Sequence, residues 1–166
     1  MRGSIVKRAS IDGLTYYEYK PSIIKPFYIN MEPITLKRRI RLLIAYFTGY
    51  TVFYIAEKGE IVGYCLVQNG NDRRYPFATR DDIVVGPYFI KKEYRGKKLS
   101  ISLLKYVLHG SGINFKYAYD YIHKNNFPSI RASQAVGFKY MCNACISKFT
   151  RQVTISENTG GGVSDF

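Results

Sequence analysis

The stretch Tyr88-Phe89-Ile90-Lys91-Lys92-Glu93-Tyr94-Arg95-Gly96-Lys97-Lys98-Leu99-Ser100 decides how the rest of the chain is read. An apolar, aromatic run ends at Ile90, a short polar turn follows, and an apolar period of helical spacing begins at Leu99. Leu99, Leu103, Leu104, Val107 and Leu108 form the stripe of a helix over 97–109, and Gly110 stops it. A strand, a turn and a helix therefore follow one another, with basic residues at the helix start. The first amides of a helix have no intrahelical acceptor and lie at the positive end of its dipole. Arg95, Lys97 and Lys98 add charge to that end, and Gly96 permits close backbone approach. The combination is a site for an anion.

Working outward, Asp82–Lys91 reads as the strand feeding this turn. It contains Gly86-Pro87, and a proline removes a ladder donor, so a bulge or an opened edge is expected there. Tyr50–Ala56 and Ile61–Gln68 read as strands joined by a Glu57-Lys58-Gly59-Glu60 hairpin turn. Ser4–Ser10 reads as a short first strand, and Pro21, Pro26 and Pro33 punctuate an irregular stretch over Lys20–Glu32. Ile34–Thr48 has helical spacing: Leu36, Ile40, Leu43, Ile44 and Phe47 share one face, and Lys37, Arg38 and Arg41 the other. Asn114–Tyr121 reads as a strand, Pro128–Val136 as a helix closed by Gly137, and Phe138–Thr150 as a last strand. The pattern is that of an α/β (α+β) domain around one mixed sheet, spanning 1–150, with a loose polar tail over 151–166.

Composition sets the outer bounds. The chain has 166 residues, 46% hydrophobic and 22% charged, enough for one domain with a full core. This excludes a disordered chain and a disulfide-stapled mini-protein. The unusual quantity is charge: 25 Lys+Arg against 12 Asp+Glu give a formal net charge of +13. Such a field attracts nucleic acid, acidic lipid or a phosphorylated ligand, and composition alone does not choose among them. Three cysteines, Cys65, Cys142 and Cys145, argue against a disulfide framework. Cys142 and Cys145 have C-x-x-C spacing, but no second pair completes a four-ligand zinc site, so no metal is expected. Leu42–Ala56 is uncharged but short for a spanning helix and broken by Gly49, so no membrane span and a cytoplasmic location are expected.

Two segments together resemble a known family. Arg95-Gly96-Lys97-Lys98-Leu99-Ser100 resembles the R/Q-x-x-G-x-G/A pyrophosphate loop of the GNAT N-acetyltransferase superfamily. Asn126-Phe127-Pro128-Ser129-Ile130-Arg131, followed by Gly137-Phe138, resembles that family's second signature. The order is correct and a strand separates them. Lys98 and Ser100 stand where the loop has its second Gly and its Gly/Ala. The likeness covers about residues 61–149.

The resemblance implies a twisted mixed sheet with splayed central parallel strands and an acetyl-CoA co-substrate lying in the splay. It implies that Arg95, Gly96, Lys97, Lys98, Leu99 and Ser100 hold the diphosphate. A backbone N–H near Phe89 or Ile90 would polarise the thioester carbonyl, and Asn126 and Ser129 would lie near the thiol end. Transfer by direct attack of an amine needs a base for the ammonium and an acid for the leaving thiolate. Many relatives place a Tyr acid in the last helix; the matching position here is Ser133. Tyr140, Tyr121 and His123 are further candidates for that role. Asp82 is the first candidate base and Asp120, at the end of the next strand, the second; Asp81 and Glu93 follow.

The expected activity is acyl-CoA-dependent N-acyltransfer, most simply of an acetyl group. The basic balance suits an anionic acceptor such as a nucleotide-linked amino sugar, an acidic peptide or an aminoacylated RNA. A homodimer is a further expectation. A different class, a nucleic-acid- or ribosome-binding module on the same fold, rests on the charge with Tyr and Phe available for stacking.

Overall fold

The computed structural model describes residues 3–148 and 150–156. Eight strands and three helices follow in order: β1 (Ser4–Ile11), β2 (Leu14–Lys20), α1 (Leu36–Thr48), β3 (Tyr50–Glu57), β4 (Glu60–Asn69), β5 (Ile83–Ile90), α2 (Leu99–Lys105), β6 (Ala118–Asp120), α3 (Phe127–Gln134), β7 (Asn143–Ile146) and β8 (Val153–Ser156). A single π turn, Tyr106–Gly110, extends α2. Strands β1 to β6 form one mixed sheet in sequence order. The first five are antiparallel neighbours, and β6 pairs parallel with β5.

Local chemistry accounts for most of these elements. Lys58 and Gly59 both have positive φ, 51° and 82°, as the tight turn between β3 and β4 requires. Thr35 caps α1 by accepting the Arg38 N–H, and Asn126 caps α3 by accepting the Ser129 N–H. Strands β3 and β4 are buried on both faces, which explains their nearly unbroken apolar runs. On one face, α2 packs Leu99, Leu103, Leu104 and Val107 against Phe53, Ile55, Cys65 and Val85. On the other, Leu42 and Ala45 of α1 join Tyr19, Tyr54, Tyr64 and Leu66.

Five sequence expectations change. Leu14–Lys20 is an additional strand, joined to β1 by the tight turn Asp12-Gly13, whose residues both have positive φ, 51° and 76°. The last strand is shorter: only Asn143–Ile146 is extended, and it pairs with β8 in a separate hairpin rather than with the main sheet. The polar stretch after residue 150 is not wholly a loose tail, since Val153–Ser156 forms β8 and Val153 is buried against Tyr75 and Val84. Residues 157–166 lie outside the described residues. The helix α1 is rotated relative to its apolar stripe. Leu36 and Phe47 are 75% and 76% exposed, while Arg38 and Arg41 are half-buried toward the sheet. The parallel pair also sits at the sheet edge, because β6 is the terminal strand.

Candidate active site

The site begins where β5 outruns β6. The parallel pairing covers Ile83↔Ala118, Val84↔Tyr119 and Val85↔Asp120 and then stops. Beyond it, the register with β4 shifts between Cys65↔Tyr88 and Val67↔Val85, so Gly86 and Pro87 together oppose Leu66. This is the bulge expected at Gly86-Pro87. It leaves 86–90 of β5 without a partner on the β6 side, so a gap opens between the two strands.

Hydrogen-bond alternation selects the groups that face this gap. The Lys91 N–H bonds the Val62 carbonyl, so alternate residues 91 and 89 face β4. The amides of Tyr88 and Ile90 therefore face the gap, and that of Phe89 does not. The Ile90 carbonyl agrees: it accepts Arg95 Nε at 3.1 Å. Arg95 also lies over the Phe89 ring, 5.6 Å from its centroid, so this cation is folded back along the strand end.

The turn that follows has two left-handed residues, Gly96 at φ 84° and Lys98 at φ 60°. Left-handed residues in a turn that enters a helix aim neighbouring amides outward, which suits an anion. The second position is where a glycine would be unstrained; a lysine there costs about 1–2 kcal/mol. Lys97 Nζ pairs with Glu57 at 2.8 Å and Lys91 Nζ with Glu60 at 2.5 Å. Lys98 is exposed at the cap of α2 and makes no ion pair among the described residues. Ser100 follows in the first turn of the helix.

At the mouth of the gap, the side chains of Tyr88, Ser133 and Asp120 lie in a row within hydrogen-bonding distance of one another. Ser133 Oγ, 3% exposed, donates to Asp120 Oδ2 at 2.7 Å. The Tyr88 hydroxyl lies 3.2 Å from Ser133 Oγ and donates to the Ser129 carbonyl at 3.0 Å. Burial pushes the Asp120 carboxyl up to about 6, against the opposing hydrogen bond from Ser133. Burial and then Asp120 also push the Tyr88 phenol up, so it stays protonated at neutral pH. The carboxylate abuts the bulge: a Cβ on Gly86 would sit 3.4 Å from Asp120 Oδ1, and Gly86 holds φ at +107°. The positive φ is what favours glycine here, since a Cβ at that distance would make ordinary contact.

Sequence reasoning placed Ser133 and Asp120 here and missed Tyr88. The signal for Tyr88 was its phase: one residue past the bulge, its side chain falls on the face that carries α3. Asp82 is elsewhere. It is buried, its Oδ2 accepts the Thr79 N–H and hydroxyl at 2.7 Å each, and its Oδ1 accepts the Tyr117 N–H at 3.1 Å. It fastens the opposite end of β5 from the bulge. Tyr121 directly follows Asp120 but turns to the other face, its ring 5.8 Å from that of Tyr75. Tyr140 is 61% exposed on the segment between α3 and β7. His123 lies exposed in a loop, its Nδ1 accepting the Asn125 N–H at 3.3 Å. Asn126 Oδ1 is engaged by the Ser129 N–H at 3.4 Å, at the α3 end that faces Tyr88. Cys142 and Cys145 are unpaired thiols, and among the described residues no group of three His, Cys, Asp or Glu is placed to hold a metal ion.

This arrangement, a bulged strand opened beside its parallel neighbour and leading into a basic turn and helix, has a counterpart among known sequences. The description "Acetyltransferase (GNAT) family" matches over residues 20–138. The chain belongs to the GNAT acetyltransferase family. Its solved likenesses are distant in sequence. The aminoglycoside acetyltransferase AAC(6')-Ib in complex with coenzyme A shares 13% identity at a TM-score of 0.56, covering 71% of each chain. AAC(6')-Iy with a bisubstrate analogue of CoA and acetylneamine shares 13% at 0.52, covering 66% of this chain and 77% of that one. Glucosamine-6-phosphate N-acetyltransferase from Arabidopsis thaliana shares 14% at 0.50, covering 81% and 99%. At such identity the likeness establishes the GNAT fold. No curated protein matches the chain. No helix among the described residues is long and apolar enough to cross a membrane.

Proposed function

We propose that this GNAT protein transfers an acetyl group from acetyl-CoA to the primary amine of an acceptor, by direct attack in a ternary complex. The observation that carries the reading is the unpaired edge of β5 beyond the bulge, which runs straight into the left-handed basic turn. An extended pantetheine arm would add to that edge as a further strand, using the Tyr88 and Ile90 amides. The Ile90 N–H is the group placed to receive the developing oxyanion. The turn Arg95–Ser100 would hold the diphosphate, with Lys98 supplying charge where its backbone is strained. Phe89 forms the wall beneath Arg95. Asn126 and Ser129 border the thiol end through the start of α3.

The chemistry needs one proton to leave the attacking nitrogen and one to reach the sulfur. As the N–C bond forms and the C–S bond breaks, ionised Asp120 takes the nitrogen's proton through the Tyr88 and Ser133 hydroxyls. The same route returns it to the thiolate, so no net proton is consumed. The ionised form starts the cycle, so the rate is expected to rise as pH rises through about 6.

The test is calorimetric titration with acetyl-CoA, followed by CoA release in the presence of a panel of amines. Saturable binding and amine-dependent release are expected. No binding at millimolar acetyl-CoA overturns the reading. The outer face of α1, with Leu36 and Phe47 exposed, offers a second copy an apolar surface. Sedimentation at two concentrations tests that expectation of a homodimer.

A further inference from the structure

Across the bulge from the proton chain lies a second cavity, of about 120 Å³. Its wall includes Pro87 and Leu66, so it borders the bulge on the face of the sheet that carries α1. Four arginines line it, Arg38, Arg41, Arg74 and Arg151, and no Asp or Glu does.

The four are not equivalent. Arg74 is part of the wall: it binds Asp72 through Nε at 2.9 Å and Nη2 at 2.6 Å, and Gln68 Oε1 at 2.5 Å. Gln68 Nε2 in turn donates to the Gly86 carbonyl at 3.2 Å, so this chain of bonds ends on the bulge. Burial acts to raise the Asp72 carboxyl, but its bonds to Arg74 outweigh burial and hold it below its ordinary value. Arg38 is paired with Glu32 Oε2 at 3.2 Å. Arg41 and Arg151 have no ion pair among the described residues, and the one bond from the Arg41 guanidinium runs to its own helix, at the Lys37 carbonyl. Burial, then the neighbouring Arg151 and, less so, Arg74 and Arg38, lower the Arg41 guanidinium, with Tyr121 opposing. Two half-buried cations thus repel each other with nothing between them.

A third donor is also left over. The Tyr75 hydroxyl, in the same wall, is buried beside the Tyr121 phenol and makes no hydrogen bond of good geometry among the described residues. A buried hydroxyl without a partner costs free energy that a ligand acceptor atom would recover. The backbone adds a further sign of construction. Arg151 sits at φ 60° in the turn between β7 and β8, and Val153 N–H bonds the Arg74 carbonyl at 2.7 Å, so the hairpin is fastened over this cavity. The wall therefore offers converging donors and positive charge, one face away from the reacting bond.

We infer that the acceptor is an amine that also carries an oxyanion, and that Arg41, Arg151 and the Tyr75 hydroxyl bind that oxyanion while the amine points past Pro87 into the gap. A guanidinium presents paired N–H donors to phosphate and carboxylate alike. The same wall rejects a polycationic amine by like-charge repulsion. The inference rests on the acetyl-transfer reading, but it has its own readout.

The experiment measures binding of matched small amines to the protein, alone and saturated with CoA, by calorimetry. Phosphoethanolamine is compared with ethanolamine, β-alanine with β-alaninamide, and spermidine serves as the polycation. The expected result is that at least one anionic member binds ten-fold or more tighter than its neutral partner. Whether phosphate or carboxylate wins separates the two sources of oxyanion. Arg41→Gln and Arg151→Gln should each remove about ten-fold of that preference and leave acetyl-CoA affinity unchanged. A neutral amine or spermidine that binds as tightly as the anionic probes, or a preference untouched by both substitutions, overturns the inference. So does the absence of binding by every anionic probe in a protein that binds acetyl-CoA. Loss of acetyl-CoA binding alone instead strikes the transferase reading, since the anion preference is measured without it.

Discussion

The protein has two basic regions, and they are built in opposite ways. Arg95, Lys97 and Lys98 are near neighbours in sequence, lie at the surface, and surround a turn with two left-handed residues. Arg41, Arg74 and Arg151 come from a helix, a loop and a hairpin turn, 110 residues apart at the extremes, and they converge on one wall. The first is suited to a ligand anion with many oxygens in a solvated setting. In the second, Arg74 is paired with Asp72, while Arg41 and Arg151 are half-buried with no ion pair among the described residues, a cost that a ligand anion would relieve. Part of the +13 net charge is thus gathered in two local clusters, which the proposed transfer reaction would assign one to each partner.

The sharpest way to break this division is to remove the proton chain that lies between the two regions. Asp120→Asn should lower kcat by about 10²-fold and abolish the rise of the rate through pH 6, while leaving both ligand affinities intact. A retained inflection would place the titrating group elsewhere. The substitution has a stability readout of opposite sign. Burial raises the folded Asp120 pKa above its unfolded value of about 4, so its contribution is favourable below that value and is lost as pH climbs through about 6. Asn cannot ionise, and its thermal midpoint at pH 7.5 should not fall as the wild type's does relative to pH 5.

A smaller effect separates the clusters directly. Arg95→Glu should weaken acetyl-CoA about ten-fold or more and leave amine selectivity unchanged, the mirror image of Arg41→Gln. Comparable effects of both on both ligands would merge the two regions into one diffuse field. The smallest expected effect sharpens the account of the turn. Lys98→Gly relieves a left-handed lysine, worth about 1 kcal/mol, and removes one positive charge. Stability should hold or rise in a urea melt while acetyl-CoA affinity falls by a few-fold.

The contrast also explains what the sequence made legible. The Arg95–Ser100 turn was readable because its parts are contiguous and its flanks have strand and helix period. The bulge at Gly86-Pro87 was readable because proline removes a ladder bond. The arginine wall was not, because a stripe of Leu36, Ile40, Leu43, Ile44 and Phe47 argues that α1 turns its basic face outward. In the structure the smaller residues Leu42 and Ala45 make the contact with the sheet, and Arg38 and Arg41 come along with them. Arg151 stood in a stretch whose polar composition resembles a tail, although Val153 anchors a hairpin there. Asp82 looked the better base than Asp120 because both flank a strand, and only burial and bonding distinguish a carboxylate that fastens a turn from one that faces a gap.

The central claim is that β5, opened beyond its bulge, and the turn that follows it form an acetyl-CoA site distinct from the arginine wall. The direct measurement is a calorimetric titration of acetyl-CoA into the wild type, Arg95→Glu and Arg41→Gln proteins at two salt concentrations. One saturable site, weakened by salt and by Arg95→Glu but not by Arg41→Gln, is the predicted result. No binding at millimolar acetyl-CoA, or steeply salt-dependent binding of RNA in its place, would contradict it.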